Sequence, residues 1–79
     1  MTELEKSAFL SNLTMHVKYG EMSHQTPYQG AFDLLDCLLT KAGVIRDAKA
    51  AVLRAFREKC LADSWTFPFE AGVITITKL

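Results

Sequence analysis

Leu13-Thr14-Met15-His16-Val17-Lys18-Tyr19 decides the fold, because it carries two incompatible periods at once. Read by twos, apolar and polar residues alternate without a break, the pattern of a half-buried strand. Read on a helical wheel, Phe9, Leu10, Leu13 and Val17 form one stripe, and Leu4, Ala8, Met15 and Tyr19 form another. Upstream, Thr2-Glu3-Leu4-Glu5 has the spacing of a capping box, so a helix starts near Glu3. Downstream, Lys18-Tyr19-Gly20 offers the cation and the glycine of a helix C-terminus. These two ends favour one helix, buried on two sides, running to about residue 20. The alternative is a helix that hands over near Ser11-Asn12 to a strand over residues 13–19.

Further along, Glu21 to Gln25 reads as a polar connector. Thr26-Pro27-Tyr28-Gln29 reads as a second capping box, with Pro at the first helical position, where its missing N–H costs nothing. The helix that follows carries Tyr28, Phe32, Leu35, Leu39 and Ala42 as a core stripe, with Asp33, Asp36 and Thr40 on the wet face. Gly30 interrupts it, which suggests the close approach of another backbone. After a turn at Ala42-Gly43-Val44, Ile45 to about Asp63 forms a third helix rich in good helix formers. Its apolar side is Ile45, Val52, Leu53, Phe56 and Cys60, and Lys49 stands at the edge of that side, where its stem can snorkel.

The tail changes character. Ser64 to Phe69 and Val73 to Lys78 are β-branched, aromatic and alternating, and Glu70-Ala71-Gly72 lies between them. Pairing Phe67 with Ile74 and Trp65 with Ile76 sets all four on one face of a hairpin. Pro68 cannot donate to a ladder, so its strand needs an open side. The expected fold is α+β, a single domain over residues 1–79, with three helices followed by a C-terminal antiparallel hairpin packed on them.

Composition bounds the function classes. The chain has 79 residues, nine Lys+Arg against nine Asp+Glu, and 49% hydrophobic residues. A domain this small buries only ~60% of its unfolded surface, so an apolar excess points to self-association, with a homodimer as the simplest form. Zero net charge counts against nucleic acid as a partner, since phosphate neutralisation supplies much of that affinity. The start, Met1-Thr2-Glu3-Leu4-Glu5-Lys6, lacks the basic region of a secretory signal, and no apolar run is long enough to span a membrane. Cytoplasmic location, with no membrane partner, is the expectation. Cys37 and Cys60 read as a pair of buried thiols in a reducing compartment.

No chemistry-bearing constellation emerges. His16, His24, Cys37 and Cys60 lack the closely spaced pairs that zinc motifs use, so no metal and no cofactor are expected. Asp33 and Asp36 suit the first turns of a helix, where the macrodipole favours acid. There is no Gly-rich phosphate loop or nucleophile elbow, and no catalytic residue is assigned. The expectation is a non-enzymatic protein.

The order of helix, helix, turn, helix and hairpin resembles the outline of the winged-helix family. Lys41-Ala42-Gly43-Val44 would be the turn, residues 45–63 the recognition helix, and the hairpin the wing. The resemblance implies a DNA-binding regulator touching phosphate through Arg46, Lys49 and Arg57. It departs from the family at Lys49, six residues after the turn glycine where an aliphatic residue is wanted, and at the hairpin tip, which lacks basic residues. The residues themselves favour a small protein-binding, regulatory module that self-associates, with Trp65, Pro68 and Phe69 as contact candidates. A structural subunit of a larger assembly is a weaker alternative.

Overall fold

The computed structural model describes residues 2–62, 66–69 and 74–79, the last but one by its backbone alone. The first helix, α1 (Glu3–Ser11), begins with the expected capping box. Glu5 N donates to Thr2 Oγ1 at 3.2 Å, and Thr2 N donates back to Glu5 Oε1 at 3.3 Å. It ends at Ser11, nine residues earlier than the favoured reading placed its end. The cause is local. Ser11 Oγ donates to Ser7 O at 2.7 Å, and Asn12 Nδ2 donates to Ala8 O at 3.0 Å. Asn12 N and Leu13 N then donate to Phe9 O and Leu10 O at 3.2 and 3.1 Å, so tighter three-residue bonds close the last turn in place of further helix.

The deciding stretch is therefore a strand, β1 (Thr14–Tyr19). Its alternation is real: Met15 and Val17 are buried, while Thr14 and Lys18 are exposed. Residues 21–25 are not a connector either. Gly20 and Glu21 form a two-residue loop, and β2 (Met22–Pro27) returns antiparallel, with Tyr19 opposite Met22 and Thr14 opposite Pro27. Gly20 takes φ 58°, as the first position of such a loop requires in the turn that matches strand twist. What looked like a helix-capping glycine is a hairpin glycine. On the outer face, His16 Nε2 and Ser23 Oγ share a hydrogen bond of 2.6 Å across the two strands.

Helix α2 (Tyr28–Lys41) starts one residue later than the capping-box reading, because Thr26 still belongs to the ladder opposite Met15. Pro27 is the N-cap, and no side chain caps the helix. At the other end, Gly43 N donates to Thr40 O and Val44 N to Leu39 O, both at 3.1 Å, with Gly43 at φ 78°. That is a Schellman stop, and Val44 packs back onto the core. Helix α3 (Arg46–Cys60) follows, capped by Ile45, which is 72% exposed rather than part of the apolar side.

Strands β3 (Thr66–Phe69) and β4 (Ile74–Lys78) complete one antiparallel sheet in the order β2-β1-β4-β3. The open side expected for the Pro68 strand is there, since β3 is an edge. The register is Phe67 with Ile76 and Phe69 with Ile74, two residues away from the expected pairing. A shift of two keeps every residue on its face, so facial alternation alone does not distinguish the two registers. Ile76, expected opposite Trp65, stands opposite Phe67 instead, and Trp65 itself lies outside the described residues.

β4 also pairs with β1, Val17 opposite Ile76 and Tyr19 opposite Ile74, so the central strands come from opposite ends of the chain. The helices cover one face. Met15, Val17, Ile74 and Ile76 meet Ala31, Leu35, Leu38 and Leu39 of α2, with Phe56 and Cys60 of α3. Among the described residues no helix is long and apolar enough to cross a membrane.

Gly30 does have a close neighbour, but it is a side chain. A Cβ there would lie 2.0 Å from Thr26 Oγ1, with Thr26 Cβ at 3.4 Å. Gly30→Ala alone gains helix propensity but forces Thr26 out of its rotamer. With Thr26→Ala beneath it, the same change stabilises by about 0.8–1 kcal/mol. A double-mutant cycle by urea denaturation checks this, and additive effects of the two changes would contradict the packing.

Candidate interaction surfaces

Of the three cations assigned to DNA, two are occupied inside the domain. Lys49 Nζ lies 3.0 Å from Asp36 Oδ1 and donates to Thr40 Oγ1 at 3.2 Å, tying α3 to α2. Asp36 Oδ1 is itself buried, and the ammonium compensates its charge. Asp36 does lie on the outer side of α2, with 42% of its side chain exposed, but it is also half of an interhelix clamp. Arg57 Nη2 donates to Glu3 Oε2 at 2.9 Å, tying α3 to α1. Arg46 stands exposed at the start of α3. A third bridging cation, Lys78, donates to Ala62 O and stands 5.1 Å from the centre of the Phe9 ring.

The cysteines separate. Both are free thiols, but only Cys60 is buried, and Cys37 is exposed on α2, which corrects the expected buried pair. Burial pushes the Cys60 thiol up to about 12, with Lys78 pulling weakly the other way. Tyr28 is likewise pushed up to about 12, first by burial and then by its proximity to Cys60, against a small opposing pull from Arg57. Neither group is poised for nucleophilic or acid–base work near neutral pH. No group of three or more metal-ligating side chains gathers among the described residues.

Among the described residues two open surfaces stand out. The first is the edge of β2. Of the contact candidates, Pro68 and Phe69 lie on the opposite edge strand, β3, and Trp65 lies outside the described residues. The β2 edge escaped sequence reasoning because Met22-Ser23-His24-Gln25-Thr26-Pro27 has no apolar alternation. The signal was Gly20-Glu21, a two-residue interval between an alternating stretch and a stretch without charge. The two-residue loop makes Tyr19–Met22 the narrow hydrogen-bonded pair. Val17–His24 and Met15–Thr26 follow as hydrogen-bonded pairs in the alternation of an antiparallel ladder. Ser23 and Gln25 therefore direct their N–H and C=O groups away from β1, into solvent. Beside this edge Met22 is 61% exposed and Tyr19 36%.

The second surface is a groove of about 440 Å³ where α1, the start of α2 and one side chain of α3 meet. Leu10, Pro27, Tyr28 and Phe32 make its apolar walls, and Arg57 stands at its rim. Tyr28 stacks on Phe56 with ring centres 5.6 Å apart and planes at 5°, while Phe32 tilts against both. No protein-family model, curated protein or solved structure matches the chain.

Proposed function

We propose that this chain is a non-enzymatic protein-binding module that self-associates by pairing β2 with β2 of a second copy. The observation that carries the reading is the β2 edge itself. It is six residues long, and none of them is Lys, Arg, Asp or Glu. Natural edge strands are usually blunted by charge, bulges or proline, and here the single breaker, Pro27, stands at the strand's end. Antiparallel pairing about His24 sets Ser23 opposite Gln25 of the partner, forming four backbone hydrogen bonds across the two-fold. The same operation brings Met22 of each copy beside Thr26 of the other. Such β-augmentation is a general route by which sheets recognise extended chains.

Gln25→Pro tests this cleanly. Its N–H points to solvent, so the substitution removes no bond inside the domain, yet it deletes two of the four bonds between copies. Sedimentation velocity gives a dimer for the parent and a monomer for Gln25→Pro, with matching circular dichroism. Equal masses for the two proteins would refute the edge as the contact.

A second reading, a winged-helix-like DNA-binding regulator, is favoured by Arg46, exposed at the start of a helix that follows the Gly43 turn and precedes the β3–β4 hairpin. The pairing of Lys49 and Arg57 inside the domain weighs against it. Its test is fluorescence anisotropy of a labelled duplex at 50 and 200 mM salt. Binding that falls steeply with salt and weakens in Arg46→Ala would put this reading first. On the self-association reading, neither salt concentration gives binding.

A further inference from the structure

The α1–α2 groove combines features that a bare apolar cleft lacks, and Pro27, the last residue of β2, is the one residue of that strand that lines it. Its volume, about 440 Å³, falls in the ~300–1,000 Å³ range of small-molecule sites. Phe32 is only half-buried, so part of its ring is open. Two of the polar side chains along the groove are already engaged. Ser11 Oγ donates to Ser7 O, and Gln29 Nε2 donates to Asp33 Oδ1 at 2.9 Å. Arg57 is the single charged residue among the groove's lining residues.

That guanidinium is under-used. It has five N–H donors. One goes to Glu3, whose side chain is 76% exposed, and Glu58 lies 3.9 Å from Nη1. An exposed carboxylate on the first turn of a helix is a weak competitor, because water screens the pair. A ligand carboxylate held in place by an apolar body in the groove meets the same cation in a drier setting.

We infer that the groove binds a small amphipathic carboxylate, an aromatic ring or short alkyl body lying against Phe32 and Leu10 with its carboxylate on Arg57. Glu3 holds the cation in the free protein and yields it to the ligand. The carboxylate-guanidinium pair supplies direction, and the apolar wall supplies area. The inference does not rest on self-association.

The probe is 4-phenylbutyrate, titrated into the full chain and followed by backbone amide chemical shifts, with the neutral 4-phenylbutanamide beside it. The acid saturates with shifts confined to residues 7–11, 27–32 and the turn around Arg57, and the amide binds at least about tenfold more weakly, as loss of a charge-assisted bond predicts. Arg57→Gln reduces the acid to the level of the amide. Glu3→Gln, which keeps a side chain of the same length and an amide oxygen beside Arg57 but removes the competing charge, tightens the acid about threefold at low salt. Should Arg57→Gln fail to fold, Glu3→Gln and the acid–amide pair carry the test. Equal affinity of acid and amide, or no response to Glu3→Gln, overturns the assignment. Saturation by a peptide ending in a free phenylalanine carboxylate, with none by 4-phenylbutyrate, overturns it in favour of a chain terminus as ligand.

Discussion

Replacing Phe56 with Ala lowers the unfolding free energy by about 3–5 kcal/mol, the largest effect expected of any single truncation in this domain. Phe56 is the largest fully buried side chain among the described residues. It sits where the three helices meet the sheet, stacked on Tyr28 and tilted against Phe32. Truncation leaves a void that Tyr28 cannot fill, because Tyr28 is fixed at the start of α2 next to Pro27. Domains of this size sit toward the lower part of the usual ~5–15 kcal/mol range, so the variant lies close to unfolding at 25 °C. Phe56→Leu keeps most of the volume but loses the ring stack, and it costs roughly 1–2 kcal/mol. Urea denaturation of both variants checks the ordering. A cost below about 1 kcal/mol for Phe56→Ala would mean that the helices do not converge on this ring.

Alkaline pH produces the second large effect. Folding raises two acidic groups, Cys60 from about 9 and Tyr28 from about 10, each up to about 12. Burial of the neutral thiol and phenol is the main cause in both cases. The unfolded chain therefore releases these protons first. The associated stability is complete below about pH 9 and is lost as the pH climbs toward 12. Each group contributes a slope of about 1.4 kcal/mol per pH unit within its window, so the combined loss by pH 11 is of the order of 3–4 kcal/mol. The measurement is the urea midpoint at pH 8.5, 10 and 11 under reducing conditions, for the parent and for Cys60→Ala. The parent's stability falls more steeply than that of the variant, which has lost the thiol's share. A stability that stays flat to pH 11 would show that both groups ionise freely in the folded state.

The two effects share a location. Phe56 and Cys60 are one helical turn apart on α3, and Tyr28 faces both from α2. This junction also shapes the groove, since Tyr28 contributes a wall of the groove and a stacking partner to the core. Around it, Lys49, Arg57 and Lys78 each bind one element to another. Such partly exposed pairs contribute little stability individually, commonly below ~1 kcal/mol. Their effect here is to fix the spacing of α1, α2 and β4 around α3. It also explains why a positive helix, read from sequence as a phosphate-contacting face, has two of its three assigned cations turned to intramolecular partners.

Local chemistry was enough for several elements. The Thr2–Glu5 capping box started α1, the apolar spacing of Tyr28 to Leu39 marked α2, Gly43 stopped it, and Pro68 put its strand at an edge. Each depends on groups within a few residues of one another, or on a donor that proline lacks wherever it is placed. The rest needed partners far along the chain. Residues 14–19 had both a helical and a strand period, and the balance tipped when Ser11 and Asn12 closed the helix and Val17 found Ile76 across the sheet. β2 carries no apolar alternation because nearly all of it is exposed, so its extended form comes from the ladder with β1. The β3–β4 register moved by two residues because facial alternation repeats every two. Lys49 and Arg57 could be recognised as clamps only once Asp36 and Glu3 stood beside them, since the charge of a side chain is a property of sequence and its counter-charge is a property of packing.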